Sequence, residues 1–125
     1  MLSTCDLIAF VPATDIDRAR RFYAEALGLT LVEENSAACV FDANGTMLRV
    51  TPVGEVTPAP FTVVGWAVSD IGGVVQRLTD DGVAIQRFEG LEQDDLGIWN
   101  APSGDQVAWF KDPTGNTLSL TQFRK

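Results

Sequence analysis

Few side chains in this chain can do chemistry, and their types limit what that chemistry is. None of the 125 residues is histidine, so no imidazole can serve as general base, as partner to a nucleophile or as metal ligand. Cys5 and Cys39 therefore lack the base that would activate a thiol, and they read as reduced, buried small hydrophobes. Two cysteines make no disulfide framework. Lys111 and Lys125 fall at a turn and at the end of the chain. Catalysis would need a carboxylate, cysteine, tyrosine or lysine of shifted pKa, and no motif couples any of these to a base. Two features remain. Arg49 lies in an alternating run and could anchor a carboxylate, phosphate or enolate oxygen, or could neutralise an acid of this chain or of its partner copy. Glu92, Asp94 and Asp95 beside Trp99 could hold a flat, cationic ligand through charge and stacking, or could form no more than a solvated loop.

The elements that must position these residues occur twice. Asp42-Ala-Asn-Gly45 and Asp112-Pro-Thr-Gly115 are matching turn signals between alternating runs, and Thr14-Asp15-Ile16 and Ser69-Asp70-Ile71 each open a helical pattern that stops at Gly28 or Gly82. In the first half, strands are predicted over 7–11, 29–34, 37–42 and 46–51, with Pro12 ending the first and Asn44-Gly45 making a tight hairpin. Asp15 is a candidate N-cap. Ile16, Ala19, Phe22, Tyr23 and Ala26 form the buried stripe of the helix, and Arg18, Arg20, Arg21 and Glu25 face solvent. The second half repeats the plan with strands over 62–68, 83–88, 106–111 and 116–122 and a helix burying Ile71, Val74, Val75 and Leu78. The two halves are offset by 55 residues at the helix-start aspartates but by 70 at the hairpin glycines. An excursion over 89–105, carrying the acids and Trp99, accounts for the difference. The expected organisation is one domain over 1–125, with module 1 over about 5–52, a proline-rich linker over about 53–61 and module 2 over about 62–123.

Composition excludes several function classes. A net charge of −8 is wrong for nucleic acid and for anionic membranes, which demand basic surfaces. No apolar stretch approaches the roughly 18 residues of a membrane span, and the first residues lack the order of a signal peptide, so the expected location is cytoplasmic.

Two strand-helix-strand-strand-strand modules with a D-P-x-G-N turn resemble the vicinal oxygen chelate superfamily of glyoxalase I, extradiol dioxygenases and bleomycin and fosfomycin resistance proteins. The strongest pieces are Asp15-Ile-Asp-Arg-Ala-Arg-Arg-Phe-Tyr23 running to Leu27-Gly28-Leu29, and Val107-Ala-Trp-Phe-Lys-Asp-Pro-Thr-Gly-Asn116. The resemblance implies an α+β fold in which two βαβββ modules form a curved, incomplete-barrel sheet around a central cup, and a homodimer. In enzymes of the superfamily the cup holds a divalent metal. Its usual ligands are histidines seven residues before each helix-start aspartate and glutamates four residues after each hairpin glycine. Here those places carry Ile8, Val63, Arg49 and Ser119. Isoleucine and valine offer no lone pair, and a guanidinium repels the ion. No metal and no cofactor is therefore expected.

Strand alternation puts Ile8, Phe10, Met47, Arg49, Thr51, Val63, Gly65, Thr117, Ser119 and Thr121 on the cup side. Trp66 belongs with the core. Trp109 and Phe110 are adjacent, so one faces the cup and the other the helices, and alternation does not say which. A mostly apolar face with a few polar groups suits a small molecule. The expected ligand-binding residues are Ile8, Phe10, Met47, Arg49, Val63, Ser119, Trp99 and Trp109. The leading expectation is metal-independent binding of a small organic molecule, in the manner of a bleomycin-resistance protein, with catalysis not expected. The alternatives are a metal-independent isomerase or lyase of the same fold, and a structural or regulatory dimer whose cup is filled by its own side chains.

Overall fold

The computed structural model describes all of residues 1–125. The chain divides into two compact units, Met1–Pro58 and Ala59–Lys125. No helix is long and apolar enough to cross a membrane.

In the first unit the order is β1 (Ile8–Ala13), α1 (Ile16–Arg21) running on as a π-helical turn (Phe22–Ala26), β2 (Thr30–Glu34), β3 (Cys39–Ala43) and β4 (Thr46–Pro52). The sheet order is β1-β4-β3-β2, with β1 parallel to β4 and the other pairs antiparallel. The carboxylate of Asp15 caps α1 by accepting from the Arg18 amide at 3.2 Å. Ala19 and Tyr23 are buried on the helix side, with the Tyr23 ring 5.9 Å from that of Phe41. Arg20 departs from its expected place in solvent. Its guanidinium reaches Glu34 on β2 at 2.6 Å and Asp17 at 3.2 Å, tying the helix to the sheet edge. β3 and β4 are joined by Asn44 and Gly45 with φ of 51° and 93°. Two positive φ values in a two-residue loop match the twist of the flanking strands.

Pro12 does not end its strand as the sequence suggested. β1 continues through Ala13, with Pro12 opposite Thr51. β1 is an edge strand, where a residue without an amide is tolerated. Cys5 also departs from expectation. It is exposed, because it follows the short 3-10 turn Leu2–Thr4 that lies outside the sheet.

The second unit runs β5 (Thr62–Ala67), α2 (Ile71–Asp80), β6 (Trp99–Asn100), β7 (Gln106–Lys111) and β8 (Thr117–Gln122), in the order β5-β8-β7-β6 with β5 parallel to β8. Asp70 caps α2 through the Gly73 amide, and Ile71, Val75 and Leu78 are its buried stripe, with Val74 half-buried. The strand expected over 83–88 does not form. Ile85 makes a single bridge to Phe110, and the Gln86 amide donates to the Trp109 carbonyl at 2.7 Å. Further pairing is lost because a side chain from the excursion takes the next backbone groups. The edge of β7 is shared instead, by Ile85 at one end and by Trp99-Asn100 at the other. Each unit is thus a four-stranded mixed sheet with one principal helix, an α+β architecture with no closed barrel.

Candidate functional site

Register decides which side chains share a face. In the first sheet Ile8 pairs with Met47, and Phe10 with Arg49. These four form the face opposite the one that buries Val11, Phe41, Leu48 and Val50. Phe10 is 61% exposed, so this is an apolar surface open to solvent in the isolated chain. Arg49 is half-buried in it, and its Nη1 lies 4.0 Å from the Met47 sulfur. The ion pairs of the chain are those of Arg20 with Asp17 and Glu34, so no carboxylate of this chain neutralises Arg49. Arg49→Met strands no acid and is expected to change stability by about 1 kcal/mol or less. Removing the partner of a buried acid would cost roughly 3–5 kcal/mol. Thermal melting of the variant checks this.

In the second sheet Gly65 and Trp109 both pair with Ser119, and Trp99 and Thr121 both pair with Val107. Trp109 therefore lies on the Ser119 face, while Phe110, opposite Leu118, is fully buried on the helix side. Trp66, expected in the core, is half-buried opposite Leu120. Val63 falls at the register shift between Thr62 and Val64 and is exposed. A Cβ at Gly65 would come within 2.6 Å of Ser119 Oγ, so the strand can lie this close to the Ser119 side chain only with glycine there.

The rings on this face form an array. Trp99 and Trp109 have centroids 6.1 Å apart at an interplanar angle of 33°, and Phe88 stands edge-on to Trp109 at 5.3 Å and 85°. The two tryptophans are half-buried and Phe88 is 42% exposed. Phe88, which the sequence reading set at the end of a strand, was not legible as part of this array. Trp99, Trp109 and Ser119 share one face, as do Ile8, Phe10, Met47 and Arg49 on the other sheet.

The acids behave differently from one another. Asp94 Oδ1 accepts from the amides of Leu96 and Ile98, both at 2.9 Å, so this carboxylate is committed to its own turn. Arg87 donates to the carbonyls of Asp94 and Asp95 at 2.8 and 3.0 Å and closes the turn from the other side. Glu92 and Asp95 are exposed.

Groups for catalysis are few. Cys39 is buried, pairs with Val50 and thus faces the helix. Burial pushes its thiol pKa up and the nearby Glu34 carboxylate pushes it further, with Arg20 opposing, so the nucleophilic thiolate is disfavoured. The positions that the family resemblance assigns to metal ligands hold Ile8, Arg49, Val63 and Ser119, and no three Cys, Asp or Glu side chains gather into a set able to hold an ion. The residues present do not fit a divalent metal.

Comparison with known proteins gives the same fold. The structure is similar to that of TnmS3, an antibiotic binding protein from Streptomyces sp. CB03234, at 24% identity over 99% of each chain with a TM-score of 0.77. It is also similar to TioX from Micromonospora sp. ML1, at 22% identity over 95% of this chain and 98% of that one, TM-score 0.71. Lactoylglutathione lyase from Agrobacterium tumefaciens is similar at 16% identity over 95% and 93%, TM-score 0.74. At these identities the likeness shows the fold alone. No curated protein matches by sequence. Residues 6–120 match the sequence profile of one family, and on that match the chain belongs to the Glyoxalase/Bleomycin resistance protein/Dioxygenase superfamily.

Proposed function

We propose that the chain binds a flat small organic molecule without a metal, on the aromatic face of the second sheet. The observation that carries this reading is the Trp99–Trp109–Phe88 array, held on a sheet face that buries no helix. Aromatic rings offer a flat ligand large contact area at low conformational cost. The commitment of Asp94 to its own turn takes one of the three acids out of ligand contact and favours stacking as the main recognition. The antibiotic-binding description of TnmS3 supports a binding role over a catalytic one, and the raised pKa and buried position of Cys39 disfavour that thiol as a nucleophile.

The test is a calorimetric titration of chelator-treated protein with naphthalene-2-methanol and with its fully saturated decahydro counterpart. The flat alcohol is expected to bind about tenfold or more tightly than the saturated one, the worth of roughly 1–2 kcal/mol of ring contact. Adding zinc, nickel, iron or manganese is expected to change nothing. Equal affinity for the two alcohols, or binding that appears only with metal, contradicts the reading.

Assembly belongs to the same proposal. Ile8, Phe10 and Met47 on one sheet, and Val63 and Phe88 on the other unit, are large apolar side chains exposed in the single chain. A second copy that covers such surface makes a homodimer. Light scattering at micromolar concentration is expected to give twice the chain mass, and the mass of a single chain contradicts it.

A further inference from the structure

The aromatic array depends on two segments that the sheet itself barely holds. Phe88 follows a stretch with one bridge to β7, and Trp99 sits in a strand of two residues. What joins them is the side chain of Gln93. Its Oε1 accepts from the Phe88 amide at 2.8 Å, and its Nε2 donates to the carbonyls of Gln86 at 2.9 Å and Gly97 at 2.8 Å. Gln93 also bridges Trp99 through its backbone. A primary amide has two N–H donors and a carbonyl acceptor, and all three needs are met here by one half-buried group.

We propose that Gln93 is the positioning residue of the aromatic face. It fixes Phe88 and Trp99 against Trp109 and thereby sets the affinity for a flat ligand, a role that rests on the binding reading above. No other residue type meets the three demands at this length. Asparagine is one methylene short. Methionine keeps the length and loses every bond. Glutamate keeps the acceptor for the Phe88 amide but aims its second oxygen at two carbonyls, which repel it while it is ionised. Arg87 closes the acidic turn through the carbonyls of Asp94 and Asp95, so the loop retains a second tie when Gln93 is replaced.

The experiment uses the full chain with Gln93→Met and Gln93→Glu. Three quantities are read: thermal melting, the near-ultraviolet circular dichroism of the unliganded protein, and calorimetric affinity for naphthalene-2-methanol. The part of the dichroism arising from the ring pair is identified as the signal lost in Trp99→Phe. Gln93→Met is expected to melt cooperatively, to lose that ring signal and to bind the probe about tenfold more weakly, the scale of losing a preorganised contact. Gln93→Glu is expected to resemble it at pH 7. Lowering the pH to about 5, toward the ordinary carboxyl range, restores a proton that one carbonyl can accept, so ring signal and affinity recover together in Gln93→Glu but not in Gln93→Met. A folded Gln93→Met with the wild-type ring signal overturns the proposal, as does a lost ring signal with undiminished affinity. Should Gln93→Met fail to fold, the pH response of Gln93→Glu decides, and a flat response overturns it. If the wild type binds no flat probe, the binding reading fails by itself, and the role of Gln93 stands or falls on the ring signal read without ligand.

Discussion

Phe110→Ala is expected to remove about 3–5 kcal/mol of stability. Trp109→Ala, one residue away, is expected to cost much less in stability and to weaken ligand binding roughly thirtyfold or more. The contrast follows from register. Phe110 pairs with Leu118 and is fully buried on the face that α2 covers. Truncating it opens a cavity among Ala108, Leu118 and Leu120, which the strands cannot collapse to fill without breaking their pairing. Trp109 pairs with Ser119 on the other face, where its ring meets Phe88 and Trp99 and is half-buried. Its loss removes partly solvated contact worth about 1–2 kcal/mol. The same ring is the centre of the array, the one that meets both of the others, and central aromatic anchors carry about 2 kcal/mol or more of binding energy, roughly thirtyfold in affinity. Urea unfolding of both variants, with calorimetry on Trp109→Ala, checks the pair. A stability loss at Trp109 as large as that at Phe110 would mean that the two faces are exchanged.

Asp112→Ala is expected to cost about 3 kcal/mol, and Asp42→Ala at the matching turn about 1 kcal/mol or less. The two sequences, Asp-Ala-Asn-Gly and Asp-Pro-Thr-Gly, look alike but fold differently. Asp42 is exposed and accepts one bond, from the Gly45 amide at 3.0 Å, in a two-residue hairpin that Asn44 and Gly45 already favour. Asp112 is only 6% exposed and is the hub of a longer loop between Lys111 and Thr117. Its Oδ1 accepts from the Thr114 and Asn116 amides at 3.0 and 2.9 Å, and its Oδ2 from the Asn116 side chain at 2.8 Å. Alanine leaves these donors facing a void in a buried turn, whereas at position 42 water takes the place of the carboxylate. Thermal melting of the two variants side by side checks the ratio, and equal shifts would contradict it.

These cases show how far the sequence could be read. The helix cap at Asp15, the opening of the second helix at Ser69-Asp70-Ile71, the buried Ala19, Tyr23, Ile71, Val75 and Leu78 and the Asn44-Gly45 hairpin were legible because each is a local demand met by local residues, while Ile16, Phe22 and Ala26 of the expected stripe are half-buried. The alternation of Trp109 and Phe110 was visible, but which face each takes depends on pairing with Leu118 and Ser119 across the sheet. The strand expected over 83–88 failed for a non-local reason as well. Val83, Ile85 and Phe88 have the composition of a strand, yet Gln93 takes the backbone groups of Gln86 and Phe88 that a ladder would use. A glutamine in a polar loop carries no signal of that role. The same tie brings Phe88 onto Trp109, which is why the array could not be assembled from spacing. At Arg49 the sequence offered an anchor, or an ion pair with an acid of this chain or of its partner copy. The position of every carboxylate in the folded chain removes the pair within this chain and leaves the other two.

The most direct test is a crystal structure of chelator-treated protein soaked with naphthalene-2-methanol. The account predicts density for the fused ring lying along Trp99 and Trp109 with its edge toward Phe88, and no metal peak beside it. A ring found away from these three side chains, or density for a coordinated metal at the occupied site, would contradict it.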